Sequence, residues 1–488
     1  MTGTARKPRI TRHKSASRRT FPDPRALDHS KLPPEIWLLV IREATFTTPD
    51  PLDTSDETSF LDATTLHLPT YYASMRLKMN MSLVSKRWNA LVRMYLYEFV
   101  WISRAVQAKA LAHTLLMEFV EGVGSSGRYI RRLHIETPLL ERCAPADLHT
   151  ILEYSPHLAI YSDHQSIQRN RYDAIPDPRC SPERLLSLLA HPQCALKRLS
   201  WTSYDDVPFH QRMSPLLEMR TMQLEYLELS SCSPNFHALF SESLDLGAAM
   251  NVCLPALRSL KVSLDNGMFA VLASWSMAGL RNLSVVSADF SYTGVGFFRF
   301  FEAHGAGLRQ LELGHSSSLI EEHYLTTPHP SRRRAGLGGL SLGRSCPNLR
   351  ELICSADAEW HWESPDWIAP HVLVPWHPSL ELIGIRDMDA RIAGALDMPA
   401  GDEGGDGFFP LLEQVGSLLQ REAFPCLKYV RDLSMESDAM RRDRTLPAVT
   451  EFWGKVLEKC RERSVYLEDY AGINITHRTL MRATLLPA

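Results

Sequence analysis

Leu308-Arg309-Gln310-Leu311-Glu312-Leu313 carries the spacing that decides the fold: apolar-x-x-apolar-x-apolar. The same spacing stands 28 residues earlier, at Leu280-Arg281-Asn282-Leu283-Ser284-Val285. Further toward the N-terminus it recurs as Leu257, Leu260, Val262, as Leu224, Leu227, Leu229 and as Leu196, Leu199, Trp201. Ile130, Leu133, Ile135 and Leu96, Phe99, Trp101 extend it, with Leu158, Ile160 as a weak copy between. Toward the C-terminus it continues as Leu349, Leu352, Cys354 and Leu380, Ile383, Ile385, and fades at Leu427, Val430. The second position is often Arg or Lys.

From Leu196 to Leu427 the steps between first positions are 28, 33, 23, 28, 41, 31 and 47 residues. The short steps match a strand-plus-helix repeat, and the long ones require insertions. The closing alternation of each unit fits a short strand with one buried face. The intervening segments read as helix. Residues 104–119 are rich in Ala, Leu, Gln and Lys and lack Gly and Pro. Ser181-Pro182-Glu183 precedes the apolar run Leu185, Leu186, Leu188, Leu189, as a capped helix start does. A single unit cannot bury its own apolar face, but a stack of them can. Residues 96–440 are therefore expected to form an irregular α/β solenoid of about nine to eleven units, with curved parallel strands and outer helices.

The period fails in three stretches, near 45–74, 322–345 and 387–407, and loops are expected there. Residues 441–488 are expected to close the stack. A helix near Thr450–Arg463 carries Phe452, Trp453, Val456, Leu457 and Cys460, and Val465-Tyr466-Leu467 gives a last strand. Trp360, Trp362, Trp367 and Trp376 crowd the segment 360–376, which fits either a ligand surface or an insertion folded back onto the solenoid.

Ahead of the stack, residues 32–95 read as a small helical module. Pro33 and Pro34 suit a helix start, and Ile36, Leu39 and Val40 fall on one face. A second helix is expected from about Met75 to Val92, with Val84, Trp88, Leu91 and Val92 on one stripe. A module this small has little core of its own and should pack on the next element or on a partner. Residues 1–31 hold Arg6, Lys7, Arg9, Arg12, Lys14, Arg18 and Arg19 without helical or strand period. They are expected to be a disordered basic tail, with nuclear import or weak nucleic-acid contact as alternatives.

The 488 residues are 44% hydrophobic with a formal charge of -3, which excludes wholesale disorder and argues against a general nucleic-acid coat. No stretch approaches the roughly 18 apolar residues of a membrane span. Nine cysteines form no C-x-x-C pair and suit reduced core thiols in the cytoplasm or nucleus. HExxH, GxSxG and Walker patterns are absent, and Gly336-Leu337-Gly338-Gly339 leads to Arg344-Ser345 rather than to a properly spaced Lys-Ser/Thr. Cys346, Cys354, His361 and His371 have the spacing of no common zinc module, so no metal, cofactor or catalytic residue is expected.

Leu32-Pro33-Pro34-Glu35-Ile36, followed by Ser82-Leu83-Val84-Ser85-Lys86-Arg87-Trp88-Asn89, resembles the two ends of an F-box, with an insertion near 45–74 where that module is usually compact. It looks like the form found in many fungal F-box proteins. Ser345-Cys346-Pro347-Asn348-Leu349-Arg350-Glu351-Leu352 is similar to the leucine-rich repeats that follow the F-box in one large class of these proteins. The resemblance implies a non-catalytic, substrate-recruiting adaptor of a cullin–RING ubiquitin ligase of the SCF type. Its F-box would dock on the small adaptor protein of the ligase through Leu32, Pro33, Ile36, Leu39, Val84 and Trp88, and its repeats would hold a protein substrate. A competing reading is an interaction scaffold in which these helices only cap the solenoid. The Leu32–Val40 face should be partly exposed in the first case and buried against residues 96–119 in the second.

Overall fold

A strand forms at each copy of the repeated unit. β1 (Phe99–Ile102), β2 (Arg132–Glu136), β3 (Ile160–His164), β4 (Arg198–Ser203), β5 (Tyr226–Ser231) and β6 (Ser259–Ser263) are followed by β7 (Asn282–Ser287), β8 (Gln310–His315), β9 (Glu351–Ser355), β10 (Leu382–Arg386), β11 (Tyr429–Asp432) and β12 (Tyr466–Glu468). They form one sheet in chain order. Every neighbouring pair is parallel, and the sheet does not close into a barrel. The computed structural model describes residues 32–480 except 48–49, 55–57, 62–67, 123, 139–140, 142, 165–181, 190–193, 204–222, 232–251, 264–268, 270, 288–294, 316–341, 357–376, 398–406 and 444.

The register aligns Leu133, Tyr161, Leu199, Leu227, Leu260, Leu283, Leu311, Leu352, Ile383, Val430 and Leu467 in one row across the sheet. These side chains are buried in one continuous core. Helices supply its other wall: α4 (Ala105–Val120) through Leu115, α5 (Pro145–Glu153) through Leu148 and Ile151, and α6 (Pro182–Leu189) through Leu185. Phe300 and Phe301 of the helix Val295–His304, and Phe452 and Trp453 of the helix Pro447–Glu462, continue that wall. The opposite face, the side that strand–helix stacking makes concave, carries the alternate residues of each strand, as period-two geometry requires.

The second position of each unit has a specific task. The carbonyl of Lys197 accepts both the Glu225 and Tyr226 N–H groups, and that of Glu225 accepts those of Arg258 and Ser259. Arg258, Arg281, Arg309, Arg350 and Glu381 repeat the pattern, each gripping the next strand where it begins. The side chains at this position point outward and pair along the edge. Lys197 lies 3.2 Å from Glu225, and Glu381 pairs with both Arg350 and Lys428. Hydrogen bonds from Lys428 and Arg350 hold the Glu381 carboxyl below its ordinary range. The recurring Arg or Lys thus marks an exposed strand entry.

Several expectations need correction. The single helix expected over Met75–Val92 is two: α2 (Leu68–Ser82) and α3 (Lys86–Tyr97). Ser85 breaks the run, because its side chain accepts the Trp88 N–H at 3.2 Å and caps α3. Val84 therefore lies in a turn, not on the helical stripe. The expected loop 45–74 contains the first turn of α2, where Pro69 is tolerated. The 387–407 stretch holds the helix Met388–Asp397, with Met388 and Ile392 buried one turn apart. Asp387 at φ 59° redirects the chain into it, and its carboxylate accepts a hydrogen bond from the Ser355 hydroxyl at 2.8 Å. The first unit is also shifted by one residue. Val100, not Phe99, pairs with Leu133, so Phe99 and Trp101 face the concave side. Of the 322–345 loop only the short helix Leu342–Ser345 is described. The basic tail and the tryptophans of 360–376 lie outside the described residues.

A buried histidine makes the stack pH-sensitive. His377 Nε2 lies 3.1 Å from the Cys346 carbonyl and donates to it, while the Ser379 N–H reaches Nδ1 at 3.4 Å. Burial lowers its pKa from 6.5, opposed by the bond to Cys346. The unfolded chain then takes up a proton that the folded chain refuses. This contribution to stability is present above the unfolded pKa of 6.5 and is lost as pH falls below it. Urea unfolding should show stability falling from about pH 7 to about pH 5, and His377→Gln should flatten that slope. Parallel slopes for the two proteins would exclude His377 as the cause.

Candidate docking face

α1 (Pro34–Thr45) begins with Pro34 in its first turn, where the missing N–H costs nothing, and Glu35 favours the helix dipole. Its inner side supplies Ile41, fully buried with Val92 and Tyr95 and packed by Leu38, Leu91 and Met94. The Tyr95 hydroxyl donates to the Leu38 carbonyl at 2.9 Å, and the Ser74 hydroxyl to the Thr45 carbonyl at 2.9 Å. These bonds hold α1 against α2 and α3.

The two segments that resemble F-box ends come together. Trp37 and Trp88 place their ring centroids 5.0 Å apart, and Arg87 donates to the Leu32 carbonyl at 3.2 Å. Leu32 and Trp88 are half-buried, and Pro33 is exposed. The outer side of α1 is apolar and open: Ile36 is 43%, Leu39 58% and Val40 47% exposed. In the turn between α2 and α3, Val84 is 64% and Leu83 81% exposed. Leu83 was missed as a candidate site residue, although an apolar pair flanked by Ser82 and the capping Ser85 is a legible signal of an exposed turn.

The module's inner side is anchored on the first turn of the stack. Tyr71 of α2 meets Phe99 at 5.0 Å and Trp101 at 5.6 Å between centroids, and its oxygen accepts the Trp101 N–H at 3.1 Å. Arg93 of α3 pairs with Glu118 of α4 at 2.5 Å and donates to Ser126 at 2.7 Å. Lys78, buried, lies 3.6 Å from Glu98; burial pushes the lysine pKa down and the glutamate pKa up. The packing against residues 96–119 thus runs through α2 and α3, while the outer side of α1 stays open.

A second surface is the concave face, and the insertion between α1 and α2 crosses it. Arg132 on β2 donates to the Pro51 carbonyl. Burial, then the neighbouring Arg198, lowers the Arg132 pKa to about 10. Further along, the Thr58 carbonyl accepts from Ser259 Oγ at 2.7 Å and from Asn282 Nδ2 at 2.9 Å. The Phe60 N–H donates to Gln310 Oε1 at 2.6 Å, and Arg386 donates to the Phe60 carbonyl at 2.5 Å. Phe60 packs toward Tyr226, with centroids 6.5 Å apart, and Leu61 lies with Ile353, Leu382 and Leu433. The sequence reading assigned this strap no position, although Phe60-Leu61 is the apolar pair of an otherwise acidic insertion.

Among the described residues no group of three His, Cys, Asp or Glu is placed to hold a metal ion, and no helix is long and apolar enough to cross a membrane. Cys346 and Cys354 are buried, and desolvation pushes both thiols up to about 12. His361 and His371 lie outside the described residues. No protein-family model and no curated protein sequence matches the chain.

The two sides of α1 should separate in stability measurements. Leu39→Ala should change the unfolding free energy by no more than about 0.5 kcal/mol. Ile41→Ala should cost about 2–5 kcal/mol if the module and stack unfold together. Denaturant titration of the two variants decides this; equal costs would mean that the outer face is already covered in the isolated chain.

Proposed function

We propose that the chain is a non-catalytic, substrate-recruiting adaptor of an SCF-type cullin–RING ubiquitin ligase. Residues 32–95 act as the F-box that docks on the ligase's small adaptor protein, and the solenoid holds the protein substrate. The observation that carries this reading is the open outer side of α1 and of the Leu83–Val84 turn, on a module whose inner side is anchored. An apolar face of this kind fits a partner helix or groove. Pro33, Ile36, Leu39 and Val84 are the exposed members of the docking set, joined by half-buried Leu32 and Trp88. The long parallel sheet supplies the large concave surface that substrate capture needs. Buried thiols such as Cys354 and Cys460, pushed up to about 12 by desolvation, suit the reducing cytoplasm or nucleus.

Titration against a purified ligase adaptor protein tests the reading. Ile36→Ala with Leu39→Ala should cost about 2–4 kcal/mol of binding, roughly 30- to 1000-fold in affinity, if both side chains are buried in the complex. Circular dichroism and melting temperature should stay close to those of the parent chain. Unchanged affinity would remove the docking assignment. Collapse of the whole chain would favour the scaffold reading, in which the helices are an integral end cap.

A further inference from the structure

The strap across the concave face is held as a bound peptide is held. Thr58 and Phe60 engage the face through main-chain groups: two carbonyls accept from Ser259, Asn282 and Arg386, and one N–H donates to Gln310. Ser259, Asn282 and Gln310 occupy one register row on adjacent strands β6, β7 and β8. The Gln310 amide uses both ends, accepting from Phe60 N–H and donating to Ser59 Oγ at 2.8 Å and to Glu351 at 2.6 Å. Such contacts recognise an extended backbone with little regard to most side chains.

Side-chain selectivity is confined to two seats. Phe60 is 6% and Leu61 5% exposed, in contrast to the half-buried or exposed residues 51–54. The seat for Leu61 exists because β10 has glycine at its centre. A Cβ on Gly384 would stand 3.0 Å from Leu61 Cδ2 and 2.8 Å from Leu433 Cδ1. A glycine inside a strand marks a place where another group approaches closely. The cluster formed by Phe60, Leu61, Ile353, Leu382 and Leu433 is separate from the main core. The core ladder lies on the other side of the sheet, so removing the strap leaves it covered.

We propose that the concave face between Tyr226 and Leu433 is a peptide-binding site whose partner is an extended protein segment bearing an aromatic–aliphatic pair of the Phe-Leu kind. Residues Thr58–Leu61 are its built-in competitor. This deepens the recruitment reading by naming the ligand class, and its test does not involve the ligase. The strap is tethered between α1 and α2, so its local concentration is on the order of millimolar and only a partner that outcompetes it gains the face.

The probe is a fluorescently labelled peptide with the sequence of residues 50–62, titrated into the full-length chain and followed by anisotropy. Binding to the parent chain should be weak. Phe60→Ser with Leu61→Ser should vacate the seats and tighten peptide binding at least about tenfold. Adding Gly384→Ala, which fills the leucine seat, should reverse that gain, whereas Ile36→Ala with Leu39→Ala should leave peptide binding unchanged. Equal binding to the parent and strap-released chains, or indifference to Gly384→Ala, would overturn the proposal. Hydrogen exchange on the unaltered chain gives a readout that does not depend on how the variants fold. The Phe60 amide should exchange by local opening, faster than the amides of Leu283 and Leu311, and faster still with excess peptide. Exchange of Phe60 only in step with those strand amides would make the strap a permanent part of the fold and reject the site.

Discussion

The stack depends on one repeated hydrogen-bonding arrangement, a single carbonyl that receives two N–H groups from the next strand entry. It occurs at Lys197, Glu225, Arg258, Arg281, Arg309, Arg350 and Glu381. Because it fixes where each strand begins, it also fixes register. A slip of one residue would turn Leu283 and its row toward the concave side and the row of Ser259, Asn282 and Gln310 into the core. The apolar ladder rewards the right register, and the shared carbonyl pins it. Stability in such an array is close to a sum of neighbour terms, so each unit contributes mainly through the two beside it.

The helical module and the concave face are linked through the chain that joins α1 to α2. One side of the module grips β1 and α4 through Tyr71 and Arg93, and its other side presents Ile36, Leu39 and Val84. The strap begins after α1 and ends before α2, so both its anchors belong to the element that carries the candidate docking face. Under the proposed function, a strap lifted by a substrate would stay tethered to that element. In that reading, recruitment and docking would meet within one short stretch of sequence.

Much of the solenoid was legible because its signal repeats. The spacing at Leu280–Val285 and Leu308–Leu313 would mean little alone, but many copies left one sheet as the simplest solution. What escaped the reading was local or non-repeating. The break at Ser85 hides inside an apolar stripe that continues across it from Val84 to Trp88. The shift at Phe99 and Trp101 escaped because α2 covers the concave side there, so both faces of β1 are apolar and periodicity cannot choose between them. The helix Met388–Asp397 was masked by the acidic composition of its surroundings. On the docking face, the exposure of Ile36 and Leu39 was an open alternative that only packing could decide. The strap was illegible because its contacts span more than 200 residues, as from Thr58 to Ser259, and no local pattern reports a partner that far away.

The parallel arrangement has a consequence for how the chain can change its length. All strand entries lie along one rim, held tightly by the shared carbonyls, and all strand exits lie along the other. The two longest steps in the spacing, 41 residues from Leu308 to Leu349 and 47 from Leu380 to Leu427, run from a strand exit to the next entry. A residue gained or lost there leaves the pitch of the stack untouched, whereas one gained at an entry would throw every later strand out of register. Drift in length is thereby channelled to a single rim. That rim can acquire new segments while the architecture beneath them keeps its dimensions.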